Sequence, residues 1–569
     1  MKFVVMKFGG TSVEDAVAID RTARIVASRR AQGVLPIVVV SAMAKVTDQL
    51  IAAANAAGRG DRAGSLAIGA RLRHRHHDTT RKLLTTAGAP EPPGFAEFSE
   101  WIDKQFESLD EIFRGLAAVG ELTARTSDMV VSYGEQLSSR LVAAGFAQRG
   151  LDAIHIDARK CIVTDAQYGK AIPNNALIEK RLEEIVLPLL KQKKLPVLGG
   201  FIGSTEEGVT TTLGRGGSDF TAALVGGGLN ASVIEIWTDV NGIMTADPRI
   251  CPDALRVKTI SFEEAAELAY FGAKVLHPAT ILPAVQKNIS VAVLNSRSPE
   301  NEGTRITALA SHCRSPFKSI AVKKRLTIID VVASRMLMSH GYLKSIFDVF
   351  DKHKCAVDMV STSEVSVSVT VDSNEKLPEI SADLSKVADV KYEGRKALIC
   401  MVGEDIRGQN GIAAQVFQML VPPGSADDHV GPGSKTGAHV RHDGLGGGEV
   451  YDGVEFREIG RGDRRPVAVR FLADHLHAVA AFLCDFGDQT TCFAASQHEK
   501  KHPYPLTLSG TAIAAALACT SKTSGSGSRK NAAWSERTAS STSSSSIIKL
   551  ILISDAPWEI ILTLTWRMA

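Results

Sequence analysis

The sequence predicts an α/β fold: a layered domain on a mainly parallel sheet, followed by small α+β units of ferredoxin-like type. Three observations lead there. Up to about residue 300, short apolar runs alternate with amphipathic helical stretches. From about residue 315 the rhythm changes to βαββαβ. The length, 569 residues, allows about three domains.

The elements follow in order. FVVMKF (3–8), LPIVVVSA (35–42), DAIHIDA (152–158), LPVLGGFIG (195–203), VIEIWTD (233–239) and SVAVLN (290–295) read as buried strands. Such continuous apolar runs suit strands covered on both faces. EDAVAIDRTARIVASRRAQG (14–33) reads as a helix with one apolar side. Residues 65–125 read as mostly helical and projecting from the sheet. They carry His74, His76 and His77, of which only His74 and His77 share a helix face. No nearby cysteine or paired carboxylate joins them, so a solvated polar face is expected there rather than a metal site.

LTIIDVVAS, GYLKSIFDVFDKHK, AVDMVST, VSVSVTVD, EKLPEISADLSKV and ADVKYE spell one βαββαβ unit over 315–394. KALICMVGED and GIAAQVFQML begin a second over 395–420, which does not finish. Residues 421–569 are rich in Gly, Pro and charge and then in Ser. That composition buries too little apolar surface to offset chain entropy, so the segment is expected to be largely disordered.

Charge narrows the partners. The 65 basic residues nearly balance the 62 acidic ones, so no strong field points to nucleic acid. The eight cysteines are scattered without a CxxC pair, which fits a reducing compartment. The first residues run directly into strand-like sequence without a leader pattern. The longest late apolar run is broken by Lys549, Asp555, Pro557 and Glu559, which argues against a membrane span. A cytoplasmic protein is expected.

Five motifs carry chemistry. KFGGTS (7–12) follows the first strand, and Gly9 and Gly10 let backbone N–H groups approach phosphate oxygens while Lys7 adds a point charge. By itself it reads equally as an ordinary strand-to-helix turn. LGRGGSD (213–219) opens a helix. Free N–H groups at Gly216 and Gly217 make an anion site, and Arg215 can grip a carboxylate or phosphate. Asp219 in that turn needs a cationic partner, either a substrate ammonium or a lysine such as Lys7. SYGEQLSSR (132–140) puts Glu135 on a helix, as a surface glutamate or as an acceptor for an ammonium group. WTDVNGIMTADPR (237–249) is a strand ending in a polar loop, where α/β sheets bind ligands. GAKVLHPAT (272–280) supplies Lys274, for which a solvated lysine is the bland alternative.

Together, in this order and spacing, these motifs resemble the aspartate kinases, and most of all the monofunctional, lysine-inhibited type. The resemblance runs from residue 1 to about 420. It implies an amino-acid kinase fold over 1–305, one ACT domain over 315–394 and a truncated second ACT domain over 395–420. It also implies ATP with Mg2+ as cofactor and L-aspartate as substrate, with transfer to the β-carboxylate. Lysine is the implied inhibitor, with threonine as the alternative effector, and the implied assembly is a homodimer through the ACT domains.

By the same resemblance Lys7 stabilises the transferring phosphoryl group, and Asp219 orients Lys7 or the substrate ammonium. Arg215 holds the α-carboxylate and Glu135 the α-ammonium, while Ser41, Thr47, Phe201, Gly216 and Ser218 complete the aspartate pocket. Gly9, Gly10, Thr238, Asp239, Met244, Arg249, Lys274 and Val275 match nucleotide positions. Met244 stands where many relatives carry Tyr, so a phenol hydrogen bond is lost there although a thioether still packs on an adenine face. Met336, Ser339, His340, Gly341, Tyr342, Leu343, Asp358 and Ser363 match an effector site, with Asp358 the partner of an ammonium.

The resemblance breaks abruptly after Leu420, where the second ACT domain lacks its next strand. A frameshift or mis-spliced reading frame is the expectation. A fused homoserine dehydrogenase would need a dinucleotide fingerprint, and DGLGGGEV (443–450) lacks that context. Another acid kinase of the same fold would not need Glu135, Arg215 and Asp219 together. From a different class, the alternative is a catalytically impaired amino-acid sensor, against which Lys7, Arg215, Asp219 and Lys274 argue.

Overall fold

A computed structural model describes residues 2–85, 91–271, 278–308, 317–333, 340–363, 365–372 and 375–404, with strands at 545–552 and 560–563. The chain divides into two compact units, 1–244 with 256–311, and 245–255 with 312–569.

In chain order the first unit contains β1 (Phe3–Phe8), α1 (Ala16–Ala31), β2 (Leu35–Val40), α2 (Val46–Gly58), α3 (Arg62–Leu84), α4 (Phe95–Val119) and α5 (Ala124–Gln148). Then come β3 (Ala153–Ile156), α6 (Asn175–Lys191), β4 (Leu195–Gly199), β5 (Ile202–Ser204), β6 (Thr210–Thr212), α7 (Gly217–Gly228) and β7 (Val233–Thr238). It closes with β8 (Thr259–Ser261), α8 (Phe262–Tyr270), α9 (Leu282–Gln286), β9 (Ser290–Asn295) and β10 (Thr304–Thr307). The main sheet runs β3-β4-β2-β1-β7-β9-β10-β8, parallel throughout except between β9 and β10.

Each expected strand is present, except that LPVLGGFIG, read as one, breaks at Gly200 and Phe201 into β4 and β5, and β5 pairs with β6 in a separate two-stranded sheet. β8 and β10 escaped the sequence reading because runs of three and four residues carry no periodic signal. The period-2 pleat divides the core: Val4, Met6, Phe8, Val38 and Val40 join one cluster with the inner sides of α1–α5. α7 lies on the opposite face, so close that a Cβ on Gly226 would stand 2.7 Å from the Ile234 side chain.

α3 and α4 form the expected helical insert. On α4, Phe95, Ile102, Phe106, Leu109, Phe113 and Leu116 recur at helical spacing and are buried. One reading needs correction. His76 is not on a solvated face. It is buried against the Phe106 ring, its Nδ1 lies 2.7 Å from the Leu72 carbonyl oxygen, and burial lowers its pKa to about 4. His77 instead meets Asp103 at 2.6 Å.

Asp128, buried on α5, fixes the approach to the glycine-rich turn that follows β6. It accepts from the Gly169 and Thr212 N–H groups, both at 2.9 Å, and from the Thr212 hydroxyl at 2.8 Å.

The second unit contains β11 (Ser319–Val332), α10 (Tyr342–Lys352), β12 (Val357–Thr362), β13 (Ser366–Val371), α11 (Leu377–Leu384), β14 (Asp389–Glu404), β15 (Ser545–Leu552) and β16 (Ile560–Thr563). Its sheet order is β12-β13-β11-β14-β15-β16, antiparallel throughout. The first four strands with α10 and α11 make the expected βαββαβ unit, with Ile329, Val331, Val367 and Val369 facing Ile346, Phe350, Ile380 and Leu384. ADVKYE and KALICMVGED, read as strands of two units, form the single strand β14. Its pairing with β11 shifts register between Lys324 and Ile328. β15 and β16 fall within the stretch whose composition predicted little regular structure. Locally, SSIIKLIL is β-branched and apolar enough to pair, and β14 offers it an open edge. GIAAQVFQML lies outside the described residues.

Asp128→Ala removes a carboxylate and strands two buried donors of Thr212 together with the Gly169 N–H. It should lower unfolding free energy by about 3 kcal/mol, read as a shifted urea midpoint with unchanged slope.

Candidate active site

The site begins at the carboxyl end of β1. From β1 the chain first builds outward through β2, β4 and β3, and later returns as β7 on the other side of β1. Neighbouring connections therefore leave in opposite directions, and a crevice opens above Lys7. Lys7 is only 9 % exposed. A buried ammonium requires a partner, and its Nζ lies 2.7 Å from Asp219 Oδ1.

Asp219 sits in the first turn of α7. The turn ahead of it can only be glycine: Gly216, the N-cap, has φ +73°, and a Cβ on Gly217 would lie 3.0 Å from the Phe201 Cα. The turn after β1 is tied down similarly. Gly9 N–H donates to the Trp237 carbonyl at 3.0 Å, and Ala44 N–H to the Gly10 carbonyl at 3.1 Å. A Cβ on Gly10 would stand 3.0 Å from the Ala42 oxygen.

Glu135 comes from α5 and is 3 % exposed. Its Oε1 accepts from Ala42 N–H at 3.2 Å, and its Oε2 is buried without a partner. Burial raises its pKa to about 8, and the Ala42 hydrogen bond only partly offsets this. One turn along, the Ser138 hydroxyl donates to the Ser41 carbonyl at 2.8 Å.

Lys7, Ser41, Thr47, Glu135, Phe201, Arg215, Gly216, Ser218 and Asp219 all line one cavity of about 550 Å³. Arg215 is exposed and, among the described residues, enters no ion pair, so its guanidinium is available to an anion. The cavity also includes Lys45 and Asp48, which sequence reasoning missed. It missed Arg75 as well, which donates to the Ala44 carbonyl at 2.8 Å and the Glu14 carbonyl at 3.0 Å. Arg75 thereby fastens both loops of the cavity to α3. Amid histidines and arginines on a polar helix it gave no signal.

The residues expected to meet a nucleotide are less gathered. Thr238 and Asp239 lie at the end of β7, joined by a 3.3 Å hydrogen bond. Met244 bridges to Arg256 within the first unit. Arg249 belongs to the second unit, where Asp247 holds its Nε at 3.0 Å. Lys274 and Val275 lie outside the described residues.

Of the expected effector residues, Met336 and Ser339 lie outside the described residues. His340 precedes Gly341, the N-cap of α10 with φ +80°, and Tyr342 and Leu343 form the first turn. Ser363 stands in the β12–β13 turn, where its N–H donates to the Ser366 carbonyl at 2.8 Å. Asp358 is at the other end of β12, since Val357 pairs with Val371 and Thr362 with Val367. Five steps along the strand separate them by roughly 16 Å. Asp358 is met by Lys323 at 2.8 Å, and the same ammonium meets Asp372 at 2.7 Å.

The model of the amino acid kinase family matches residues 2–295. Lysine-sensitive aspartokinase 3 of Escherichia coli K12 is 36% identical over 433 residues, 74% of this chain and 91% of that protein. The crystal structure of E. coli aspartokinase III with aspartate and ADP (R-state) aligns with TM-score 0.63 at 36% identity, covering 74% of this chain and 92% of that one. The same enzyme with lysine and aspartate (T-state) aligns with TM-score 0.62 at 35% identity and the same coverage. The chain belongs to the amino acid kinase family and, within it, to the aspartokinases.

Glu135 makes stability depend on pH with a definite sign. In the folded, empty site it keeps its proton to about pH 8, whereas the unfolded chain releases it near pH 4.5. The folded state then binds more protons between those values, so stability falls as pH rises through that window, by up to about 1.4 kcal/mol per pH unit. Glu135→Gln should flatten that slope in urea melts at pH 5, 6, 7 and 8.

Proposed function

We propose that the chain is an aspartate kinase, transferring the γ-phosphoryl group of ATP to the β-carboxylate of L-aspartate to give 4-phospho-L-aspartate. The observation that carries the reading is the Lys7–Asp219 pair on the same cavity as Glu135 and Arg215. An α-amino acid presents one ammonium and one carboxylate, and Glu135 and Arg215 are their complements.

The nucleophile needs no base. A carboxyl group of pKa about 3.9 is already ionised at neutral pH. A β-carboxylate oxygen bonds to the γ-phosphorus while the bond to the β–γ bridging oxygen breaks, and ADP leaves with that electron pair. The obstacle is repulsion between two anions, so positioning and charge neutralisation supply the catalysis. Lys7 balances the charge on the transferring phosphoryl group, and Asp219 holds the ammonium in place. Gly9 and Gly10 let backbone approach the phosphates. Mg2+ takes oxygen ligands, of which the exposed Asp239 carboxylate offers one, and when bound it would neutralise phosphate charge.

The second unit is proposed to be regulatory: an ACT domain over 315–394, the start of another over 395–420, and an out-of-frame tail after 420. Lysine is its proposed effector and a homodimer through these domains the proposed assembly. The existence of a lysine complex of the E. coli relative supports this reading. Because Asp358 and Ser363 lie at opposite ends of β12, a site using both would draw on two copies.

Three measurements test the proposal. β-Aspartyl hydroxamate should form with ATP, Mg2+ and aspartate, and Lys7→Met should lower kcat by about 10³-fold. No product from the unaltered protein would favour an amino-acid sensor instead. The KM for aspartate should fall as pH rises towards 8, because empty Glu135 must ionise to meet the substrate ammonium, and Glu135→Gln should abolish that dependence. Lys323→Met should free Asp358 and lower the inhibitory lysine concentration about tenfold, roughly 1.4 kcal/mol. An unchanged value would remove Asp358 from the effector site.

A further inference from the structure

A second cavity, of about 380 Å³, lies beside the first and shares no residue with it. The two have common walls. Glu135 and Phe201 line the first, and their chain neighbours Gln136 and Ile202 line the second. On α5 the residues Gln136, Ser139 and Arg140, spaced i, i+3 and i+4, form the stripe that faces it. α4 contributes Trp101 and Gln105, and the segment after β3 contributes Asp157, Arg159 and Lys160.

Its charges do not balance. Three cations, Arg140, Arg159 and Lys160, face one carboxylate, Asp157. Arg159 occupies that carboxylate, with its terminal nitrogen 2.7 Å from Oδ2 and its Nε 3.0 Å from Oδ1. Among the described residues, Arg140 and Lys160 then enter no ion pair. Arg140 lies over an aromatic ring, with the guanidinium carbon 4.2 Å from the centre of the Trp101 ring. Among the described residues its N–H donors meet no acceptor. Burial disfavours its charge, and no carboxylate offsets that. His155 Nε2 is 3.0 Å from the Ser139 hydroxyl, and burial lowers its pKa to about 4, so it adds polarity and no charge.

We propose that this cavity binds a small dianion, a phosphate monoester or a dicarboxylate, and that its occupancy is felt at the substrate cavity through α5. Two uncompensated cations match two negative charges, a guanidinium matches a pair of oxygens, and the volume suits a small metabolite. The ligand would sit against Gln136, one residue from Glu135.

The test is calorimetric titration of the full-length protein with inorganic phosphate, methyl phosphate and succinate, at constant ionic strength with chloride as control. A Lys7→Met, Lys45→Met, Arg215→Gln background removes the three cations that line the first cavity. Saturable one-site binding of at least one dianion is expected, weakened at least tenfold by Arg140→Gln and by Lys160→Gln. Lys160 is exposed, so its variant decides the matter if Arg140→Gln fails to fold. Phosphates and succinate are separate arms, and binding by one identifies the ligand chemistry. No saturable heat, or heat unchanged in both variants, overturns the site. In protein with those three cations intact, the bound dianion should shift the KM for aspartate at least threefold, and Arg140→Gln should abolish the shift. An unmoved KM overturns the coupling while leaving the binding site standing.

Discussion

The structure turns on a single constraint: a lysine ammonium at the end of a central parallel strand has almost no water around it. Lys7 must be paired, and Asp219 is the group that pairs it. This requirement sets the position of α7 against β1. The position of α7 in turn requires the tight Gly216–Gly217 turn that clears Phe201. The same end of β1 is fixed by the Trp237 carbonyl, whose side chain stacks on Phe8 with ring centres 5.9 Å apart. The charge proposed to serve phosphoryl transfer therefore depends on sheet and helix packing around it.

The substrate cavity holds two kinds of carboxylate, separated by environment. Asp219 lies 2.7 Å from the Lys7 ammonium. Glu135, with one oxygen on a backbone N–H and the other on nothing, keeps its proton until a cation arrives. An unpartnered buried oxygen is costly in an empty protein. In the proposed function it receives the substrate ammonium, which would offset that cost. Arg75 and Ser138 hold the 41–47 loop and the chain after 9–12 from outside the cavity, and Asp128 holds the approach to the 213–217 turn. The precision of the site thus resides in side chains that never face the ligand.

The second unit shows a different economy. Its six-stranded sheet is continuous, and β14 serves both the βαββαβ unit and the strands from the far end of the chain. An unpaired edge accepts any compatible strand. An Ile-rich segment far along an otherwise low-complexity stretch meets that condition, which composition averaged over the whole stretch conceals. Lys323 between Asp358 and Asp372 supplies internally the ammonium that an effector would bring.

Much of this was legible in the residues alone. Continuous apolar runs marked β1, β2, β4, β7 and β9, because strands buried on both faces need no alternation; β3, read as buried too, lies at the sheet edge with Ile156 alone buried. The glycines of KFGGTS and LGRGGSD, with Lys7, Arg215 and Asp219 at fixed offsets, marked the site, because close backbone approach to an anion excludes side chains. What only the tertiary structure decided is the pairing. Nothing local in the sequence brings Asp219 to Lys7, leaves Glu135 half-satisfied under Ala42, buries His76 between half-buried neighbours, or lets Arg75 reach two loops. Those outcomes depend on burial and on long-range contacts, which set whether a polar group meets water, a partner or neither.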